Sequence, residues 1–111
     1  MIELKIETVE VATVVELTGD VDASTASEVK DKILPLFEAE SKMLLDMTNV
    51  PYMSSAGLRM LLMLYRQASI QQVKLVLVGL SEEIADIMEV TGFLNLFTTS
   101  ATIETGLTAL Y

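Results

Sequence analysis

Neither cysteine nor histidine occurs among the 111 residues. Their absence removes thiol nucleophiles, thiol redox chemistry, histidine-ligated haem, most zinc sites and every Ser-His triad. Glycine and proline are sparse, five and two, while hydrophobic residues make up 51% of the chain, a balance that excludes disorder and low complexity. Basic residues are scarce as well: seven Lys and Arg stand against sixteen Asp and Glu, for a net charge of −9. A chain this acidic is repelled by phosphate backbones and anionic lipid, so neither direct nucleic-acid binding nor membrane binding is expected. A partner with a basic face would account for the charge, and so would solubility alone. Long apolar runs are also missing, although the mean hydropathy is +0.50. The longest stretches, Val73 to Leu80 and Ala56 to Tyr65, carry Lys74 and Arg59 and fall far short of the roughly 20 residues a spanning helix needs. The opening MIELKIETVE alternates charged and apolar residues, unlike a signal peptide, and a cytoplasmic location is expected.

What is present suits a single domain over residues 1–111, long enough to bury a core without metal or disulfide. Ile2 to Glu7 alternates strictly and predicts a half-buried strand; Val11 to Leu17, rich in Val and Thr, predicts its hairpin partner. Gly19-Asp20 breaks the second strand. A helix is expected next, with Thr25 and Glu28 at capping-box spacing, Ala26, Val29, Ile33, Leu36 and Phe37 on its inner face, and Pro35 kinking or ending it. Met43 to Met47 reads as a buried central strand, Ala56 to Ile70 as a second helix, and Lys74 to Val78 as a strand ended by Gly79. Ser81 is a natural cap for a third helix with Ile84, Ile87, Met88 and Thr91 inside and Gly92 at its stop. Phe93 to Phe97 suggests a short edge strand, and Ser100 the cap of a last helix bearing Ile103, Leu107 and Leu110. The expected architecture is α/β: a mixed sheet of four or five strands, a leading antiparallel hairpin and about four helices.

The most informative segment is DMTNVPYMSSAGLR, Asp46 to Arg59. Two serines stand where a strand-to-helix loop meets a helix. Free backbone N–H groups and the dipole at such a point suit an ordinary serine cap and also favour a phosphate. On the helix that follows, Leu58, Leu61, Leu62, Tyr65 and Ala68 fall on one face, with Met60 and Met63 nearly opposite. Those methionines are either adaptable contact residues or packing beneath a neighbouring helix. Arg59 is either a partner contact or a solvated charge.

This segment resembles the signature of STAS domains, in particular the bacterial anti-sigma factor antagonists. Their pattern runs roughly Asp-hydrophobic-Ser/Thr-x-Val-x-Tyr/Phe-Met-Asp-Ser-Ser/Thr/Ala-Gly-Leu. Asp46, Met47, Thr48, Val50, Tyr52, Met53, Ser55, Ala56, Gly57 and Leu58 match in register. Gly19-Asp20-Val21-Asp22 resembles the family's turn before its first helix, and the order of elements agrees over essentially the whole chain. The resemblance implies a STAS fold and a binding protein rather than an enzyme; no cofactor is expected, and a monomer or weak dimer is. It implies that Ser55 is phosphorylated by a partner that is both anti-sigma factor and serine kinase, that the unphosphorylated form binds this partner and frees a sigma factor, and that a metal-dependent, PP2C-type phosphatase resets the switch. Asp20, Asp22, Ser54, Ser55, Ala56, Gly57, Arg59, Met60 and Met63 are then the expected partner-binding residues. The chain departs from the pattern at Ser54, where the family carries Asp beside the phosphoacceptor.

Other readings fit less of the chain. Leu44-Leu45-Asp46 superficially resembles the phospho-accepting strand of a receiver domain, but no acid pair ends the first strand and Lys74 begins its strand rather than ending it. Asp20 and Asp22 lie two apart at a turn, where solvated acids are common. The glycines, Gly19, Gly57, Gly79, Gly92 and Gly106, are too scattered for a phosphate loop. A STAS module that binds a partner constitutively is the remaining alternative.

Overall fold

The computed structural model describes residues 2–110. Strands β1 (Glu3–Val9) and β2 (Ala12–Thr18) form the expected antiparallel hairpin, with its turn at Glu10 and Val11 rather than near Thr8 to Glu10, where the link between the strands was expected. From β2 onward every strand pairing is parallel: β3 (Lys42–Asn49), β4 (Lys74–Val78) and the short β5 (Thr98–Ser100). The spatial order is β1-β2-β3-β4-β5, so each crossover steps in the same direction. Right-handed crossovers then put all three intervening helices on one face of the sheet. These are α1 (Ala26–Ile33), α2 (Ser55–Gln71) and α3 (Glu82–Val90); α4 (Ile103–Ala109) alone covers the other face.

Strand alternation divides the core accordingly. Val15, Leu17, Met43, Leu45, Met47 and Leu77 point toward α1, α2 and α3, where Val29, Ile33, Leu58, Leu61, Leu64, Ile84 and Met88 meet them. Ala12, Val14, Leu44, Val76 and Val78 point the other way, against Leu110 and the half-buried Ile103 and Leu107. A Cβ on Gly106 would lie 3.1 Å from side-chain carbons of Leu44 and Val78, so glycine lets the short α4 sit close on the sheet. No helix among the described residues is long and apolar enough to cross a membrane.

Several local expectations are corrected. Thr25 and Glu28 do not form a capping box: the Thr25 hydroxyl is engaged with the preceding turn, and Glu28 pairs with Lys32 at 3.1 Å. Pro35 does end α1, which tightens into a 3-10 turn at Leu34–Leu36. Phe93 to Phe97 is not a strand. It holds a 3-10 turn, Leu94–Leu96, because Phe93, Leu94 and Phe97 all face the main core, a turn-like spacing rather than an alternation. Phe97 meets Tyr65 edge-on at 5.4 Å, and the edge strand begins only after it. Ser100 belongs to that strand; Thr102 caps α4 in a reciprocal box with Thr105. On α2 the buried face runs through Leu64, with Leu62 only half-buried, and on α3 Ile87 is exposed while Ile84 and Met88 carry the packing.

Candidate partner-binding site

The carboxyl ends of β2 and β3 lie side by side, and the loops that leave them are knitted together by backbone. Gly19 N donates to Asn49 O (3.1 Å), Val21 N to Tyr52 O (3.0 Å) and Ser54 N to Val21 O (2.9 Å), and Val21 forms an isolated parallel bridge with Met53. Gly57, in the first turn of α2, faces this bridge: a Cβ there would come within 2.6 Å of Met53 Cγ and 2.8 Å of the Val21 carbonyl oxygen. Only glycine lets the helix start so close to both loops. The turn containing Asp20 and Asp22 is thereby held against the segment from Met53 to Gly57.

The two serines have different roles. Ser54 is the N-cap of α2: its backbone is extended, its Oγ accepts from Gly57 N (3.4 Å) and its carbonyl receives Leu58 N (3.0 Å). Ser54 thus caps the helix, a task for which a carboxylate is equally suited. Ser55 is the first helical residue, one position earlier than the helix start expected from sequence. It is exposed, and its hydroxyl has no hydrogen-bond partner among the described residues. The first turn of α2 contains no acidic side chain to oppose an added negative charge.

Asp22 organises the neighbouring turn. Its carboxylate accepts from Ser24 N (2.9 Å) and Ser24 Oγ (2.7 Å), and its carbonyl receives Ala26 N (2.8 Å). The hydrogen bonds from Ser24 hold the Asp22 carboxyl below the ordinary carboxylate range, by favouring its charged form. The Thr25 hydroxyl closes the turn by donating to Asp20 O (2.9 Å) and accepting from Asp22 N (3.0 Å). Asp22 therefore shapes the turn that leads into α1, whereas the Asp20 side chain is exposed.

One turn along α2 the surface opens into a groove of about 320 Å³ against α1. Ala23, Ala26, Ser27 and Lys30 line it from the α1 side, and Ala56, Arg59, Met60 and Met63 from α2. Of the two readings open for the methionines, Met60 takes packing beneath a neighbouring helix, being 3% exposed against α1, while Met63 is 47% exposed. Gly57 is likewise interior, Ala56 half-buried and Arg59 exposed. Of the nine expected contact residues, then, Asp20, Ser55, Arg59 and Met63 are open to a partner, Asp22, Ser54 and Ala56 partly so, and Gly57 and Met60 shape the surface from below.

Sequence reasoning passed over Tyr52 as a candidate contact residue; it is 54% exposed in the β3–α2 loop. An aromatic in a polar loop between a proline and a serine pair was the available signal. Asp46 is 5% exposed and its carboxylate accepts from Thr48 N (3.0 Å) and Thr48 Oγ1 (2.6 Å), which secures the end of β3. That placement, with an antiparallel leading strand, differs from the open acid cluster and all-parallel sheet of a receiver.

Residues 3–106 match the family model of the STAS domain, and the chain belongs to the STAS domain family. It is 35% identical over 78 residues to the anti-sigma-B factor antagonist of Listeria monocytogenes, covering 68% of each chain. An anti-sigma factor antagonist from Mycobacterium paratuberculosis has the same fold, with a TM-score of 0.88 at 22% identity over 99% of this chain and 94% of that one. The Bacillus cell fate determinant SpoIIAA in its phosphorylated form has a TM-score of 0.73 at 17% identity, over 98% and 100% of the two chains.

Proposed function

We propose that this STAS domain is a cytoplasmic anti-sigma factor antagonist switched by phosphorylation of Ser55. Unphosphorylated, the surface around Asp20, Tyr52, Ser55, Arg59 and Met63 binds an anti-sigma factor that is also a serine kinase, and a sigma factor is released. A PP2C-type phosphatase returns the modified form to the binding state. The observation that carries this reading is the division of labour between the serines: Ser54 is spent on the helix cap, and Ser55 presents a free, exposed hydroxyl. A phosphate adds about −1.5 to −2 charge and three acceptor oxygens. At the start of α2 the folded domain tolerates it, but a partner packed over it must desolvate it, so binding is lost without refolding.

The test is kinase labelling with the cognate anti-sigma factor, followed by mass spectrometry and binding measurements. Ser55→Ala binds the partner and resists modification. Ser55→Asp stays folded and binds poorly. Ser54→Ala is still modified, with some loss of helix stability. Labelling that survives in Ser55→Ala and vanishes in Ser54→Ala sinks the assignment. The second reading, a scaffold that binds constitutively, is favoured by serine in place of the family's aspartate at position 54. It replaces the switch if the partner binds the parent and Ser55→Asp equally well.

A further inference from the structure

The edge of the sheet formed by β1 has the backbone phase and the charge pattern of a self-complementary strand. The Val9–Ala12 pair closes the two-residue turn at Glu10 and Val11. In such a hairpin that closing pair is hydrogen-bonded, so Glu3, Lys5, Glu7 and Val9 direct their backbone groups to β2. Leu4, Ile6 and Thr8 direct theirs outward, away from β2. Ile6 is the midpoint of Glu3–Val9, and its side chain is 46% exposed. Among the described residues neither Lys5 nor Glu7 takes part in an ion pair, although Lys5 stands opposite Glu16 on β2.

We propose that β1 pairs antiparallel with β1 of a second copy of this chain about a two-fold axis at Ile6. The whole strand is then used. Ile6 faces Ile6 of the second copy, Leu4 faces Thr8 of the second copy twice over, and each of these pairs exchanges two backbone hydrogen bonds. On one face of the joined sheet the two Ile6 side chains cover each other beside the half-buried Leu4. On the other face Lys5 of each copy stands directly opposite Glu7 of the second copy, flanked by its own Glu16, so each lysine lies between two carboxylates. A two-fold axis at Lys5 would instead oppose Lys5 to Lys5 and Glu3 to Glu7, and one at Glu7 would oppose Glu7 to itself. The strand edge alone covers less than the about 1,200 Å² of a standard interface, and two chains of net charge −9 repel at long range. The dimer is therefore a weak, reversible one, and it leaves the Ser55 surface, on the loops beyond β2 and β3, uncovered. The proposal does not depend on the role of Ser55.

Sedimentation equilibrium of the full chain from about 20 µM to 1 mM tests it, with circular dichroism to confirm the fold of each variant. The parent shows a monomer–dimer equilibrium. Lys5→Glu and Glu7→Lys each weaken self-association by roughly tenfold or more, since two attractive cross-strand pairs become two repulsive ones. Mixed together, these variants form a heterodimer, because position 5 of each copy then again meets the opposite charge at position 7 of the other. The double variant K5E/E7K self-associates like the parent. Glu3→Lys, which faces Val9 of the second copy, changes association little. A parent that stays monomeric throughout the range overturns the proposal. So does a dimer indifferent to Lys5→Glu and Glu7→Lys, or a mixture of the two that fails to associate.

Discussion

The two faces of the sheet are built from the same alternating strands but do different work. The face under α1, α2 and α3 holds the large core, and the Ser55 surface stands at its rim, where two loops and a helix start share backbone hydrogen bonds. The opposite face holds a small core under one seven-residue helix. The proposed binding surface, whose charge would change on phosphorylation, is thus anchored on the side with the larger core.

Core truncations expose that difference most strongly. Leu61→Ala, at a fully covered position of α2, is expected to cost about 2–5 kcal/mol in urea unfolding. Leu107→Ala on α4, already half-exposed, should cost less than half as much. Equal costs would mean that the two faces are energetically equivalent.

The helix glycines offer a finer comparison. Gly57→Ala meets a backbone oxygen at 2.8 Å that cannot move without parting the two loops, so a loss of about 1–3 kcal/mol and weakened partner binding are expected. Gly106→Ala meets only side-chain carbons at 3.1 Å, and the helix gains about 1 kcal/mol of propensity. Its net effect in thermal melts should lie near zero. If Gly106→Ala proves the more damaging, the rigid junction has been placed on the wrong face.

Acid sharpens the picture at the turn itself. Because hydrogen bonds from Ser24 lower the Asp22 pKa, its stabilisation is complete above the ordinary value of 3.8 and is lost as pH falls through the lowered folded value. Amide exchange at Ser24 and Thr25 should accelerate only below that range. Asp22→Asn, which keeps the acceptor oxygen, should preserve the turn better than Asp22→Ala, and any partner binding lost in Asp22→Asn reports on the charge. A small gain is expected at the far end of α2, where Gln72 caps the helix in the left-handed conformation (φ 59°, ψ 34°). Gln72→Gly should stabilise by about 0.5–1 kcal/mol, read as a raised melting temperature.

Elements whose signal lies in their own residues were legible in the sequence. The buried run Met43 to Met47 is the central strand, Ser81 caps α3 through Ile84 N, and the leading hairpin forms from the two expected strands, with its turn slightly later than expected. What escaped depends on contacts between elements. Thr25 has capping-box spacing, yet its hydroxyl is drawn off by the Asp20 carbonyl of the preceding turn. Met60 lies opposite the leucine stripe, where the pattern within α2 left both a contact role and packing beneath a neighbouring helix open; α1 packs there and buries it. At the site, the serine pair and the glycine were visible from the motif. Which serine is engaged was not, because that turns on one residue of helix start.

The Val21–Met53 bridge has a consequence for how such domains diverge. Two loops that share backbone bonds, with a helix glycine seated on the joint, cannot be lengthened or shortened one at a time. An insertion between Gly19 and Val21, or between Asn49 and Ser54, would break these bonds, so this route to new loop specificity is costly here. If the proposed surface is the one that meets a partner, domains of this build are told apart by side-chain identity on a fixed frame, at exposed positions such as Asp20, Tyr52, Arg59 and Met63.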